Sequence, residues 1–299
     1  MTALRQWLGN SSVLAGLNSL TKFPSIPTLH VLGERGRLGS TLDPGLRLGE
    51  LEYVATEKVD GTNARALLLP DGSFLFGSRE ELLWYSGDVV YNPALGIVET
   101  LRSEFGVDSD GTSDRLAEVV LRWFSGFVVL YLEVYGHGVG KAGAQYATKG
   151  WTGARLIDAA FWPGHSWLRK VCDSSVEVIA RERDAGATPF LSWAGVVDLG
   201  GKTDLDAVPE EPFPPLGDPS HEAVLRYLEA RGPSGVRLDE DAPGRKEGVV
   251  LRSTNGNASG GSPVHRVKLR REDYERTVRA RRSDCLSRLR SEGASKDDG

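Results

Sequence analysis

The chain has 299 residues, 40% of them hydrophobic and 26% charged, with a formal net charge of −5. That balance is ordinary for a soluble globular protein and argues against one that coats nucleic acid indiscriminately. No run approaches twenty apolar residues and the first twenty lack a secretory core, so neither a membrane span nor a signal is expected; Cys172 and Cys285 are far apart and form no CxxC pair, which does not support a zinc or disulfide framework and suits a reducing, cytoplasmic setting.

In chain order, the β-like run "LEYVAT" (51–56) leads into "EKVDGTNAR" (57–65). "ARALLL" and "SFLFGSR" flank the turn tripeptide "PDG", which predicts a hairpin over 64–79. "DRLAEVVLRWF" (114–124) reads as a helix, and the β-branched, aromatic run "GFVVLYLEVYG" (126–136) as a buried strand. "SSVEVIARERDAG" (174–186) and "HEAVLRYLEARG" (221–232) read as helices closed by glycine, and the Pro-rich "VPEEPFPPLGDPS" (208–220) between them as a surface loop. "EGVVLRS" (247–253) and "VHRVKLR" (264–270) are strands joined by "TNGNASGGSP". No internal repeat interrupts this pattern, which predicts an α+β domain of mixed or antiparallel sheets over 1–275. Residues 276–299 read as a short basic extension, partly disordered. Charge is uneven: residues 265–290 hold ten Lys/Arg against four acids, a local basic surface on an acidic body.

Strand alternation sorts the polar residues. "VHRVKLR" projects Val264, Arg266, Lys268 and Arg270 to one face, a cation stripe that is costly in a core and useful beside a polyphosphate. Glu247 opens its strand, where a carboxylate can hold a hard cation such as Mg²⁺. Tyr131, Glu133 and Tyr135 alternate onto one face, which predicts a carboxylate on an aromatic wall. Lys58 stands before a turn. An unperturbed lysine, with pKa about 10.4, is free amine in about one molecule in a thousand near pH 7.5, so a nucleophilic role requires nearby cations and partial burial.

Five stretches in fixed order, "EKVDG", "FGSRE" (76–80), "LEVYG" (132–136), "KEGVVLRS" (246–253) and "HRVKLR" (265–270), resemble the covalent nucleotidyltransferases, the superfamily of polynucleotide ligases and capping enzymes. Within it the chain is most similar to the phage-type RNA ligases that seal nicks in duplex RNA. The resemblance covers about residues 22–275 and includes the leader "TKFPSIPTL" and the run "GHGVGKAGAQY". It implies an ATP-grasp-like nucleotidyltransferase domain and an ATP-dependent RNA ligase using Mg²⁺ or Mn²⁺. In such an enzyme Lys58 attacks the α-phosphorus of ATP, the AMP passes to a 5′-phosphate end, and a 3′-hydroxyl displaces it. The implied partners are RNA ends at a nick, with no membrane and no obligate protein partner.

By the same resemblance Glu57 lies beside the adenine edge, with Asp60 and Gly61 in the nucleotide site. Glu133 lies near the ribose or a metal-bound water, Glu247 binds metal with it, and Lys268 grips the α-phosphate. Arg79 touches phosphate or the RNA end, and Asn63, Arg65, Arg266 and Arg270 contact phosphate or RNA. Asn63 stands where RNA-sealing members carry asparagine and DNA ligases or capping enzymes usually carry arginine, which favours RNA over those two rivals; an end-binding module without chemistry is the third. The last motif pairs Lys268 with either Arg266 or Arg270. The adenine-stacking position falls in "RLIDAAFW" (155–162) on Ile157, with Phe161 or Trp162 as alternatives. The roughly thirty residues after the last motif are too few for an appended OB-fold.

Overall fold

A computed structural model describes residues 10–83, 96–214, 216–258 and 260–294. Helix α1 (Ser11–Thr21) is capped by Asn10, whose side chain accepts from the backbone N–H groups of Ser12 and Val13. A small ladder of β1 (His30–Leu32) and β2 (Leu38–Leu42) follows, then β3 (Tyr53–Lys58), β4 (Thr62–Leu68), β5 (Phe74–Ser78) and β6 (Leu82–Leu83). Helices α2 (Ile97–Glu104) and α3 (Asp114–Glu118) precede the long pair β7 (Gly126–Gly136) and β8 (Thr152–Pro163). Then come α4 (Ser166–Asp173), α5 (Val176–Glu182), α6 (Trp193–Thr203), β9 (Glu210–Glu211), α7 (His221–Glu229), β10 (Gly248–Ser253), β11 (Arg266–Arg270) and α8 (Arg271–Ala294). The domain is α+β, and every ladder between named strands is antiparallel.

Two sheets carry the fold, in orders β11-β10-β3-β9 and β6-β5-β4-β7-β8. In the first, alternation segregates chemistry from core. Ala55, Val249, Leu251, Val267 and Leu269 are buried on one face with Val224, Leu228 and Tyr274 from the helices. Thr56, Lys58, Val250, Arg252, Arg266 and Lys268 occupy the other. In the second sheet β7 is buried on both faces: Leu130, Leu132 and Val134 belong to one cluster, Phe127, Val129 and Tyr131 to another. A strand covered on both sides reads as a continuous apolar run, as "GFVVLYLEVYG" does.

The sheets meet because β3 ends the first and β4 begins in the second after only residues 59–61. Gly61 makes this crossing sterically possible, since an added Cβ would collide with the Val134 carbonyl of β7. Behind the crossing, Asp158 of β8 accepts from Arg252 (Nε, 3.2 Å; Nη2, 3.1 Å) and from Arg266 (Nε, 2.8 Å), clamping the two sheets together. All three side chains are buried. Burial pushes the Asp158 carboxyl up, but the two guanidinium charges outweigh it and hold the group below the usual range.

Several expectations need correction. The loop read over 208–220 contributes β9, whose Glu211 and Glu210 pair with Ala55 and Thr56; an edge of β3 was open and local sequence carries no sign of that distant partner. The helix read over 114–124 is α-helical only to Glu118 and continues as a wider π-type turn over Val119–Trp123. Helix α7 caps at Ala230, before the glycine expected to close it, and the helix read over 174–186 is α-helical over Val176–Glu182 and continues as a π-type turn over Arg183–Ala187, with Gly186 inside it at φ 90°. The basic tail is helical from Arg271 to Ala294, and residues 295–299 lie outside the described residues. No helix among the described residues is long and apolar enough to cross a membrane.

Candidate active site

A cavity of ≈ 330 Å³ opens where β3 crosses between the sheets, lined by Lys58, Glu133, Glu247 and Lys268 together with Asp60, Asn63 and Ile157. Cross-strand register explains the convergence. Lys58 stands opposite Gly248 on β10, so Glu247 lies one residue beyond it. Asn63 stands opposite Glu133 on β7. Val250 stands opposite Lys268 on β11.

The Lys58 ammonium donates to Glu247 Oε2 at 2.5 Å, and Glu247 Oε1 accepts from Arg270 Nε at 2.8 Å. The Lys58 side chain is 23% exposed, directed into the cavity and not into open solvent. Among the described residues that line the cavity, Lys268 is the cation with no ion pair; desolvation first, then Lys58 and Arg270, hold its ammonium below the usual lysine range. Desolvation lifts the Glu133 carboxyl to about 7, against the pull of Lys58, with Glu247 and Asp60 adding to the rise. Asp60 is raised as well, by desolvation and then by Glu247. Three carboxylates thus share the cavity lining with the Lys58 and Lys268 ammonium groups, and they repel one another.

No group of three or more His, Cys, Asp or Glu side chains among the described residues could hold a metal ion by itself. The donor set fits a different arrangement: Mg²⁺ and similar hard cations bind through one or two carboxylates with waters and substrate phosphates. Glu247 and Glu133 are the candidates, and the repulsion from Glu247 and Asp60 that adds to the desolvation-driven rise of Glu133 is what a divalent cation would relieve.

The leader is a structural wall of the site. Lys268 donates its backbone N–H to Pro27 O (2.8 Å) and accepts from Leu29 N–H (2.9 Å), so the leader runs beside β11 and presents Phe23, Ser25 and Ile26 to the cavity. Ile157 enters through a β-bulge. Pairing jumps from Tyr131↔Asp158 to Leu132↔Leu156, which leaves Ile157 as the extra, unpaired residue of β8. A bulge re-aims a side chain beside a site. Phe161 and Trp162 line no part of the cavity: Phe161 packs on Phe124, and Trp162 is buried on Phe127.

Other expected residues are placed differently. Arg65 is fully buried: it donates to Ser78 O (3.1 Å), Asn18 O (2.9 Å) and Thr21 Oγ1 (2.7 Å), and so ties β4 to the end of α1 without reaching phosphate. Glu57 contributes to the lining, but its carboxylate alternates away from Lys58 and accepts from Ser234 Oγ (2.5 Å) and Gly235 N–H (2.9 Å), with Lys246 at 3.7 Å. Arg266 and Lys268 share the cavity wall, while Arg270 lies outside it on Glu247. The cation stripe is therefore divided, since Arg266 belongs to the Asp158 clamp and stacks 3.9 Å from the Phe190 ring centroid. Tyr131 and Tyr135 form no common wall: Tyr131 packs on Phe23 and Phe190, Tyr135 on Tyr146. Arg79 lines the cavity with a 60% exposed side chain.

Sequence reasoning missed Phe23, Ile26, Thr56, Val208 and Arg252 in the lining. Arg252 was accessible, because alternation along β10 places it with Val250 on the Lys58 face. Val208 was not, because it arrives by the backbone bond from Val208 N–H to Leu156 O (2.9 Å), far off in sequence.

A family model described as RNA ligase matches residues 51–270. No curated protein matches the chain. Similar solved structures include an apo mutant of the Naegleria gruberi RNA ligase (14% identity, 76% of this chain and 51% of that one, TM-score 0.45) and another mutant of it with ATP and Mn (12% identity, 86% and 62%, TM-score 0.46). An archaeal ATP-dependent RNA ligase is also similar (14% identity, 85% and 49%, TM-score 0.45). The chain spans 49% to 62% of the length of these three structures.

Proposed function

The chain belongs to the RNA ligase family, as the match over residues 51–270 shows, and from that premise we propose that it is an ATP-dependent RNA ligase acting through a covalent Lys58–AMP intermediate. The observation that carries the reading is the convergence of Lys58, Glu133, Glu247 and Lys268 on one cavity from four strands or strand ends. These are the four residues that the resemblance names for nucleophile, ribose or metal contact, metal ligand and phosphate grip.

Lys58 Nζ needs a free lone pair to form its bond to the α-phosphorus of ATP as the bond to pyrophosphate breaks. In the resting arrangement that amine donates to Glu247 Oε2 at 2.5 Å. The pair must open. A divalent cation at Glu247 and Glu133 would supply charge neutralisation at the phosphates and compete with Lys58 for the Glu247 carboxylate. Lys268, which carries no counter-ion in the cavity, is free to take a phosphate oxygen. The bulged Ile157 and the Phe23 strap supply apolar walls for a base. Transfer of AMP to a 5′-phosphate, and its displacement by a 3′-hydroxyl, need the same in-line geometry.

RNA is the proposed substrate on the strength of Asn63. Its Nδ2 donates to Leu132 O (3.4 Å), while its Oδ1 is a buried acceptor with no partner among the described residues. A donor brought by the substrate would satisfy it. The proposed cofactors are ATP as AMP donor and Mg²⁺ or Mn²⁺, and the proposed substrate is a nicked RNA duplex. Incubation with labelled ATP and Mg²⁺ is expected to leave label on the protein after denaturation, and Lys58→Ala to abolish it. Absence of any label on the wild type, with ATP or GTP, would overturn the reading.

A further inference from the structure

The leader strap that walls the lysine cavity has a second side. Phe23, Pro24, Ser25 and Arg79 line both that cavity and a neighbouring cleft of ≈ 300 Å³, whose other walls are Lys22, Glu80, Arg183 and Asp184. AMP transfer makes no use of this cleft. It is built at the C-terminal end of α1, where outward carbonyls favour cations.

Those cations are only partly consumed. Arg183 donates from Nη1 to Ser19 O (2.8 Å) and from Nε to Asp184 Oδ1 (2.9 Å). A guanidinium has five N–H donors, so three have no partner among the described residues. The side chain is 13% exposed and held in place before any ligand arrives. Lys22 Nζ donates to Glu80 Oε2 at 2.8 Å. The two carboxylates sit on the rim, with Glu80 67% and Asp184 59% exposed, so water screens these pairs and makes them weak. A phosphate offers stronger, charge-assisted bonds to the same donors. Among the described residues of the lining cations outnumber acids three to two, and Arg79 reaches both compartments.

We propose that this cleft docks a phosphate group of the nucleic-acid strand, held by Arg183 and Lys22, with Arg79 shared between strand and nucleotide. The assignment rests on the ligase reading for the identity of the strand as RNA. The phosphate is either the 5′-terminal monophosphate or a backbone phosphodiester beside the end.

The test measures equilibrium binding of the full chain to a nicked RNA duplex, 5′-phosphorylated or 5′-hydroxylated, at two salt concentrations. Lys22→Ala is expected to weaken binding roughly fivefold to tenfold and to lower the salt slope by about one contact. Glu80→Gln is expected to tighten it about twofold to fivefold, because it frees Lys22 and Arg79 from their shared competitor. Glu80 pairs with Lys22 and, at 3.6 Å, with Arg79, so damage from losing these pairs would move both variants the same way; opposite signs report a charged ligand competing for the cations. Loss confined to the phosphorylated duplex assigns the terminal phosphate, and equal loss on both duplexes assigns the backbone. The proposal is overturned if the variants move together, if neither changes RNA binding, or if the KM for ATP shifts while RNA binding stays. Failure of wild-type labelling by ATP would remove the ligase reading and leave this binding result standing by itself.

Discussion

Two ion clusters lie within the same pair of sheets and use the same chemistry to opposite ends. In the clamp, Asp158 binds Arg252 and Arg266 with every side chain at most 6% exposed. At the edge of the cavity, Glu247 binds Lys58 inside and Arg270 outside, with the cations 23% and 35% exposed. A sealed carboxylate with two guanidinium partners has no alternative partner and fixes geometry. An open one with an ammonium partner can exchange it for a metal, a phosphate or water. What separates structure from chemistry here is solvent access and the choice of lysine over arginine, since only lysine can readily become a neutral nucleophile.

The largest expected effect breaks the open cluster. Lys58→Ala should lower AMP attachment by at least about a thousandfold, while unfolding measurements show a loss under about 1 kcal/mol, because Glu247 keeps Arg270. The sealed cluster should respond in reverse. Asp158→Ala leaves two buried guanidiniums unpaired and should cost about 3–5 kcal/mol of stability by denaturant titration. A cost below about 1 kcal/mol would erase the contrast.

Smaller effects sharpen it. Ile157→Ala removes an apolar wall from the bulge and should raise the KM for ATP about tenfold, roughly 1.4 kcal/mol, with the adduct still formed. An unchanged KM would move the base elsewhere in the cavity. Glu133→Gln probes the crowding directly. The folded-state pKa of about 7 lies above the ordinary glutamate value of 4.5, so the folded chain binds more protons between them. Wild-type stability therefore falls as pH rises through that window. The variant escapes this, and its Tm advantage should be smallest near pH 4.5 and grow towards pH 7, while AMP transfer declines. A Tm difference independent of pH would contradict the assignment.

How far the residues could be read in advance follows the same division. Alternation is a local property, so the split of β11 into a core face and a cavity face was legible and placed Lys268, while Lys58 and Glu247 were marked by the order of the five stretches and the resemblance they carry. Applied strictly, alternation also turns the Glu57 carboxylate away from Lys58. Depth is not local. Arg65 shares a face with Asn63 on β4, yet α1 closes over it, and nothing within "TNARALL" announces that cover. The division of the cation stripe depends on Asp158, which sits more than a hundred residues from Arg266. The bulge at Ile157 is visible only against β7, because a skipped residue is a property of the pair.

The central claim concerns which amine takes the nucleotide. Peptide mapping of the protein after incubation with ATP and Mg²⁺ should place AMP on Lys58 alone. AMP on Lys268 or Lys246, or on no lysine at all, would contradict it.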